Sequence, residues 1–139
     1  MIWASEFELG IPSIDGQHKV LTEILDKIFD LANFANQIYL IKNESEILEI
    51  LTELNNYAEY HFKHEEVLFH KYQYLNLEAH VAKHNSFKNY LSEVSLKLKS
   101  DFNFLVLMDL CYFINDWIIQ HIMIEDYYYV QLLKYHDEI

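Results

Sequence analysis

Eight histidines occur among the 139 residues, and five of them fall at spacings that turn imidazoles toward one interior. His61 is followed four residues later by Glu65, and His80 four residues later by His84. At 100° per residue an i,i+4 pair is offset by only about 40°, so each pair presents two donor groups on one helix face. His18 begins an apolar stripe continued by Leu21, Leu25 and Ile28, and His121 lies four residues after Trp117. Burying five imidazoles and a carboxylate without a common partner would cost several kcal/mol. A metal centre supplies that partner. A lone histidine on an apolar face is ordinarily a satisfied core residue, and that plainer reading is kept for His64, His70 and His136. His64 is rotated about 60° from His61 and flanks the site.

The donor set decides the class of metal. Five imidazoles and two carboxylates are too many for one tetrahedral zinc. Without thiolates, iron–sulfur clusters and Cu(I) are poorly served. Nitrogen and oxygen donors in this number suit two octahedral first-row ions, with iron foremost. Once the two carboxylates and a solvent-derived group bridge the ions, one coordination position stays open, a place for one small ligand. The second carboxylate has two candidates. Glu125, four residues after His121, would share its face in an unbroken helix. Asp126, five residues after, is offset by about 140° and can ligate only where the helix ends or bulges.

These side chains must be carried by long helices. The chain has only 2 glycines and 1 proline with 52% hydrophobic residues, whereas strand-rich folds need turn residues every ~8–12 positions. An irregular arm over about 1–12 holds Trp3, Phe7, Gly10 and Pro12, its aromatics expected to pack on the bundle. Apolar periodicity then predicts helices over about 14–40, 45–72, 77–99 and 103–121, with a short C-terminal helix over about 127–136. Asn43 followed by Glu46 reads as a capping box at the second helix. Four runs joined by short breaks favour an all-α, up-down antiparallel four-helix bundle, a single domain spanning 1–139.

Charge and composition exclude several partners. The formal net charge is −12 and every basic residue is lysine, so a nucleic acid or an anionic membrane surface finds no basic footprint. The same charge favours a monomer. The apolar stretch from Phe104 to Ile124 carries Asp109, Asp116 and His121, which marks it as a buried helix rather than a membrane span. No signal-peptide pattern opens the sequence, and the expected compartment is the cytoplasm. The single cysteine, Cys111, leaves no internal disulfide and reads as structural.

Trp3, Phe7, Gly10-Ile11 and Ile14-Asp15-x-Gln17-His18 resemble the N-terminal signature of the hemerythrin family in its bacterial single-domain form. Tyr57-x-x-x-His61-Phe62-x-x-Glu65-Glu66, His80-x-x-x-His84 and Trp117-x-x-x-His121-Ile122-x-x-x-Asp126-x-x-Tyr129 resemble its later blocks. The resemblance covers nearly the whole chain. It implies that Asp126 rather than Glu125 is the ligand, with a helix break near 122–126. It implies two non-haem iron ions bridged by Glu65, Asp126 and an oxo or hydroxo group. His80, His84 and His121 would complete one iron; His18 and His61 would hold the other and leave its sixth position open. The implied ligand is dioxygen, with nitric oxide or small anions able to use the same position. Leu21, Phe62, Trp117 and Met123 would line the oxygen pocket. The Met123 thioether would alter oxygen access there, although methionine also suits plain core filling.

The implied function is reversible oxygen binding for storage, delivery or sensing, not catalysis. The alternatives are a diiron enzyme (oxygenase, ferroxidase, peroxide or nitric oxide reductase) and an iron- or oxygen-responsive regulatory module. Diiron carboxylate enzymes carry Glu-x-x-His pairs and four or more carboxylates. No Glu-x-x-His occurs in this chain, which favours binding over activation.

Overall fold

The computed structural model describes residues 5–33 and 44–135. Trp3, residues 34–40 of the first expected helix, the cap at Asn43, and His136 lie outside them. A 3-10 turn, Ser5–Phe7, leads to α1 (Pro12–Asn33), α2 (Glu44–Lys71), α3 (Leu77–Ser100) and α4 (Phe104–Gln120). A π-helical turn over His121–Asp126 continues into α5 (Tyr127–Tyr135).

Each element begins where its sequence permits. Proline at the first position of α1 has its φ preset and no N–H to leave unpaired. Asp15 in the first turn accepts the backbone N–H groups of Leu9 (2.8 Å) and Gly10 (3.0 Å), tying the arm to the helix. Gly10 holds φ at +96°, a conformation that strains any residue with a side chain, and it lies against the end of the Lys134 side chain of α5. Phe7, Leu9 and Ile11 of the arm are buried. At α4, the Asn103 side chain accepts the N–H of Val106 at 3.2 Å, an N-cap.

The buried stripes then close the bundle. α2 buries Ile47, Ile50, Leu51, Leu54 and Ala58, and the same face runs on into His61, Phe62, Glu65 and Phe69. α3 buries His80, His84, Phe87, Leu91, Val94 and Leu98 at alternating steps of three and four. α1 packs on α2, α2 on α3, α3 on α4 and α4 back on α1, an up-down antiparallel four-helix bundle. One end of the interior is therefore aliphatic and the other lined with imidazoles. No helix among the described residues is long and apolar enough to cross a membrane.

The helix break expected near 122–126 is replaced by a bulge. The chain stays helical from Phe104 to Tyr135, with the hydrogen-bonding pattern widened to i→i+5 over His121–Asp126. An extra residue is accommodated within the helix, and α5 remains joined to α4.

Candidate metal centre

Helices α1, α2 and α3 and the π turn that continues α4 all contribute to one buried cluster. His18 comes from α1, His61 and Glu65 from α2, His80 and His84 from α3, and His121 and Asp126 from the π turn. Five of the seven are wholly buried; only His80 (2%) and His121 (3%) retain any exposure. Their inward atoms converge. His18 Nε2 lies 2.8 Å from Asp126 Oδ2 and 3.8 Å from Glu65 Oε1. Nε2 of His80 and of His121 each stand 3.1 Å from Asp126 Oδ1 and 3.5 Å from a Glu65 oxygen. His84 Nε2 is 3.7 Å from Glu65 Oε2 and 3.3 Å from His121 Nε2, while His61 Nε2 closes on Glu65 Oε1. Two quartets of donors form, one of Glu65, His80, His84 and His121, the other of His18, His61, Glu65 and Asp126. Glu65 belongs to both.

Proximity here is not hydrogen bonding. Nε2 of His18, His61 and His80, both oxygens of Glu65 and both of Asp126 are buried with no hydrogen-bond partner. So many orphaned polar atoms at one point would be costly in a bare protein. Neighbouring donors of a six-coordinate ion with bonds of ~2.1 Å stand ~3 Å apart, the spacing these atoms adopt. The residues therefore fit a pair of first-row metal ions, and the donor set of imidazole and carboxylate without thiolate fits iron.

Outer partners orient two of the imidazoles. His61 Nδ1 donates to Gln17 Oε1 at 2.7 Å, and His84 Nδ1 donates to Glu66 Oε2 at 3.0 Å. Each bond commits Nδ1 to carrying the proton and leaves Nε2 with its lone pair facing inward. Burial lowers His18 to about 4 and His84 to about 2, and it lowers His121 as well. These imidazoles are neutral near pH 7, the form that ligates a metal. Burial alone would raise Glu65, but His61 and His121 outweigh it and hold the carboxyl well below its usual range. Burial pushes Asp126 well above its usual range, and the adjacent Glu65 adds to the rise. Two buried carboxylates oppose each other's ionisation, and cations between them remove the opposition.

Beside the cluster lies a small apolar cavity, about 10 Å³ of room for the centre of a water-sized molecule. Its walls include His18, His121, Leu21, Phe62 and Trp117. Phe62 stacks on His84 with ring centroids 4.0 Å apart, and Trp117 stacks on His121 at 4.5 Å. Met123 is not part of this wall. It is 39% exposed, and the inward position is taken by Ile122, 1% exposed. The wide turn that carries Asp126 inward turns Met123 out toward solvent, so its thioether does not line the cavity and has no place from which to alter oxygen access there.

The family described as "Hemerythrin HHE cation binding domain" matches residues 9–133. The chain belongs to the hemerythrin family. The bacteriohemerythrin of Clostridium acetobutylicum is 33% identical over 129 residues, covering 93% of this chain and 98% of that protein. The bacteriohemerythrin of Methylococcus capsulatus is 31% identical over 123 residues, 88% of each chain. A crystal structure of wild-type hemerythrin superposes with a TM-score of 0.82 at 29% identity, covering 96% of this chain and 97% of that one. In this hemerythrin-family chain Glu125 points away from the cluster and pairs instead with Lys83. His64 is half-buried beside the site, and His70 is exposed.

Several residues around the centre escape a reading of spacing alone. Gln17 and Glu66 sit next to ligands in sequence yet serve imidazoles on other helices. Ala58, Phe87, Ile118 and Ile122 complete the cavity wall but look like ordinary core. Tyr129 is 1% exposed, its hydroxyl has no hydrogen-bond partner, and its ring stands edge-on to His80 at 5.6 Å. A tyrosine where a helical stripe calls for an aliphatic residue was the available signal.

Proposed function

We propose that this chain binds dioxygen reversibly at a diiron centre, for storage, delivery or sensing, and that residues 1–139 form one such domain. The ligands are His18, His61, Glu65, His80, His84, His121 and Asp126. The observation that carries the reading is the juxtaposition of that orphaned, buried donor cluster with a small apolar cavity whose walls include His18 and His121. Two iron ions held by these residues would supply the redox chemistry and the free ligand position that reversible dioxygen binding needs.

The protein's own groups do the rest. Leu21, Phe62 and Trp117 offer water no polar partner and leave space for only a very small molecule. Nitric oxide or a small anion is of a size to occupy the same space. Gln17 and Glu66 hold their imidazoles in the tautomer that directs Nε2 inward. Glu65 belongs to both quartets, and Asp126, a member of one, stands 3.1 Å from His80 and His121 of the other, so these two carboxylates would bridge the ions. This shell is richer in histidine and poorer in carboxylate than that of diiron oxygen-activating enzymes, which supports binding over turnover.

The test is to reduce the iron protein without air, admit oxygen and then remove it. A charge-transfer band that rises and falls over several cycles, with two irons per chain, is expected. Irreversible oxidation with release of a product would move the protein to the enzyme class. A single zinc per chain would overturn the diiron assignment.

A further inference from the structure

A second, polar cleft opens on the other side of the Trp117–His121 stack. It has a volume of about 150 Å³ and is lined by Lys83, Trp117, Gln120, His121 and Glu125. Lys83 on α3 and Glu125 on the π turn form an ion pair across it, their side chains 50% and 24% exposed. Resting on the diiron reading above, we propose that this cleft is the route by which ferrous ions reach and leave the centre, with Glu125 as the transfer ligand at its mouth.

Three observations carry this. His121, which lines the cleft, is the most exposed of the seven donors at 3%, and five of the others show no exposed surface at all. The apolar cavity cannot serve, because a divalent ion crossing Phe62, Ile118 and Ile122 would leave all its water behind. The cleft can: its room for water centres is well above the ~10–15 Å³ that one water needs, so an ion enters with several waters still attached. His121 also keeps one ring nitrogen without a partner. Its Nε2 faces Glu65 and Asp126, so Nδ1, at the opposite edge of the ring, faces away from the centre, buried and without a partner.

Glu125 is placed to hand an ion inward. It precedes Asp126 in the π turn, so the carboxylate at the mouth and the ligand inside are consecutive residues. Lys83 occupies that carboxylate at rest, which leaves the mouth with no net charge and nothing to retain a third ion. An arriving cation displaces the ammonium from Glu125, exchanges its waters for donors within, and frees Glu125 to pair with Lys83 again. No bond other than metal–ligand and ion-pair contacts changes.

The experiment follows iron leaving the holoprotein into a strong ferrous chelator without air, then ferrous ion returning to the depleted protein. A transfer ligand lowers the same barrier in both directions, so Glu125→Gln should slow release and reloading alike, by about tenfold for each ~1.4 kcal/mol the carboxylate contributes. The final content of two irons and the absorption spectrum should be unchanged, because a route alters rates and not the end state. Lys83→Met should speed reloading. Glu53→Gln, at an ion pair with Lys27 elsewhere on the surface, should match the parent and controls for lost charge alone. Rates for Glu125→Gln within twofold of the parent would overturn the route. A lower final iron content would also overturn it, by making Glu125 a permanent ligand. A parent protein that takes up no iron pair would instead sink the diiron reading itself.

Discussion

His61 Nδ1 lies 2.7 Å from Gln17 Oε1, a buried hydrogen bond donated from α2 to α1. The contact fixes the ring of His61 and leaves its Nε2 free to face Glu65. Partners of this kind are commonly worth about 10–100-fold in metal affinity. Gln17→Leu keeps the volume but removes the acceptor, so iron retention against a chelator should fall by about that range. Glu66→Gln should cost less, because an amide oxygen can still accept from His84 Nδ1 and only the charge is lost. Competition titrations against a graded series of chelators measure both. Equal retention in Gln17→Leu and the parent would show that packing alone orients His61.

The cavity predicts a different split. Phe62 is 1% exposed, stacks on His84 and closes the apolar pocket. Phe62→Ala should destabilise the protein by about 3–5 kcal/mol in chemical denaturation, the usual cost of emptying a large aromatic site. The enlarged pocket would admit water beside the metal ions, so spontaneous oxidation of the oxygenated protein should speed up. Unchanged oxidation despite the lost stability would mean that other groups exclude the water.

Cys111 allows a pH prediction free of the metal site. Burial pushes its thiol up to about 12 from an ordinary 9.0. Between those values the folded chain keeps a proton that the unfolded chain has lost, so this residue's contribution to stability falls as pH rises. Below pH 9 the stability gap between the parent and Cys111→Ala should be constant; above it the gap should narrow toward pH 12. At pH 8 the native thiol should resist alkylation and react only on unfolding. Rapid labelling of the native protein would contradict its burial.

The bundle was readable because its periodicity is strong. The step pattern from His80 through His84 and Phe87 to Leu98 describes one face of α3, and that face is buried. The i,i+4 pairs His61/Glu65 and His80/His84 were readable for the same reason. Asp126 was legible only through the family resemblance, because an α-helical period assigns its place to Glu125 and spacing alone does not announce an i→i+5 turn in His-Ile-Met-Ile-Glu-Asp. Met123 was misplaced by the same turn. Gln17 was hidden for a different reason: its partner is 44 residues away, and helical spacing carries no information about which helices meet.

The π turn can be tested directly by removing the residue it accommodates. Ile124 is 52% exposed, so deleting it sacrifices little core. The remaining five residues can then form an ordinary α-helical turn, in which the aspartate stands four residues after His121 rather than five. Those positions share a face, so the deletion variant should remain folded and still bind iron through His121 and the aspartate. In the intact chain Asp126→Asn should lose a bridging carboxylate and with it most of the iron. Far-ultraviolet circular dichroism and iron analysis separate the outcomes. Full helicity with iron lost upon deletion of Ile124 would mean that the wider turn is needed to set the depth of the carboxylate, not only its direction.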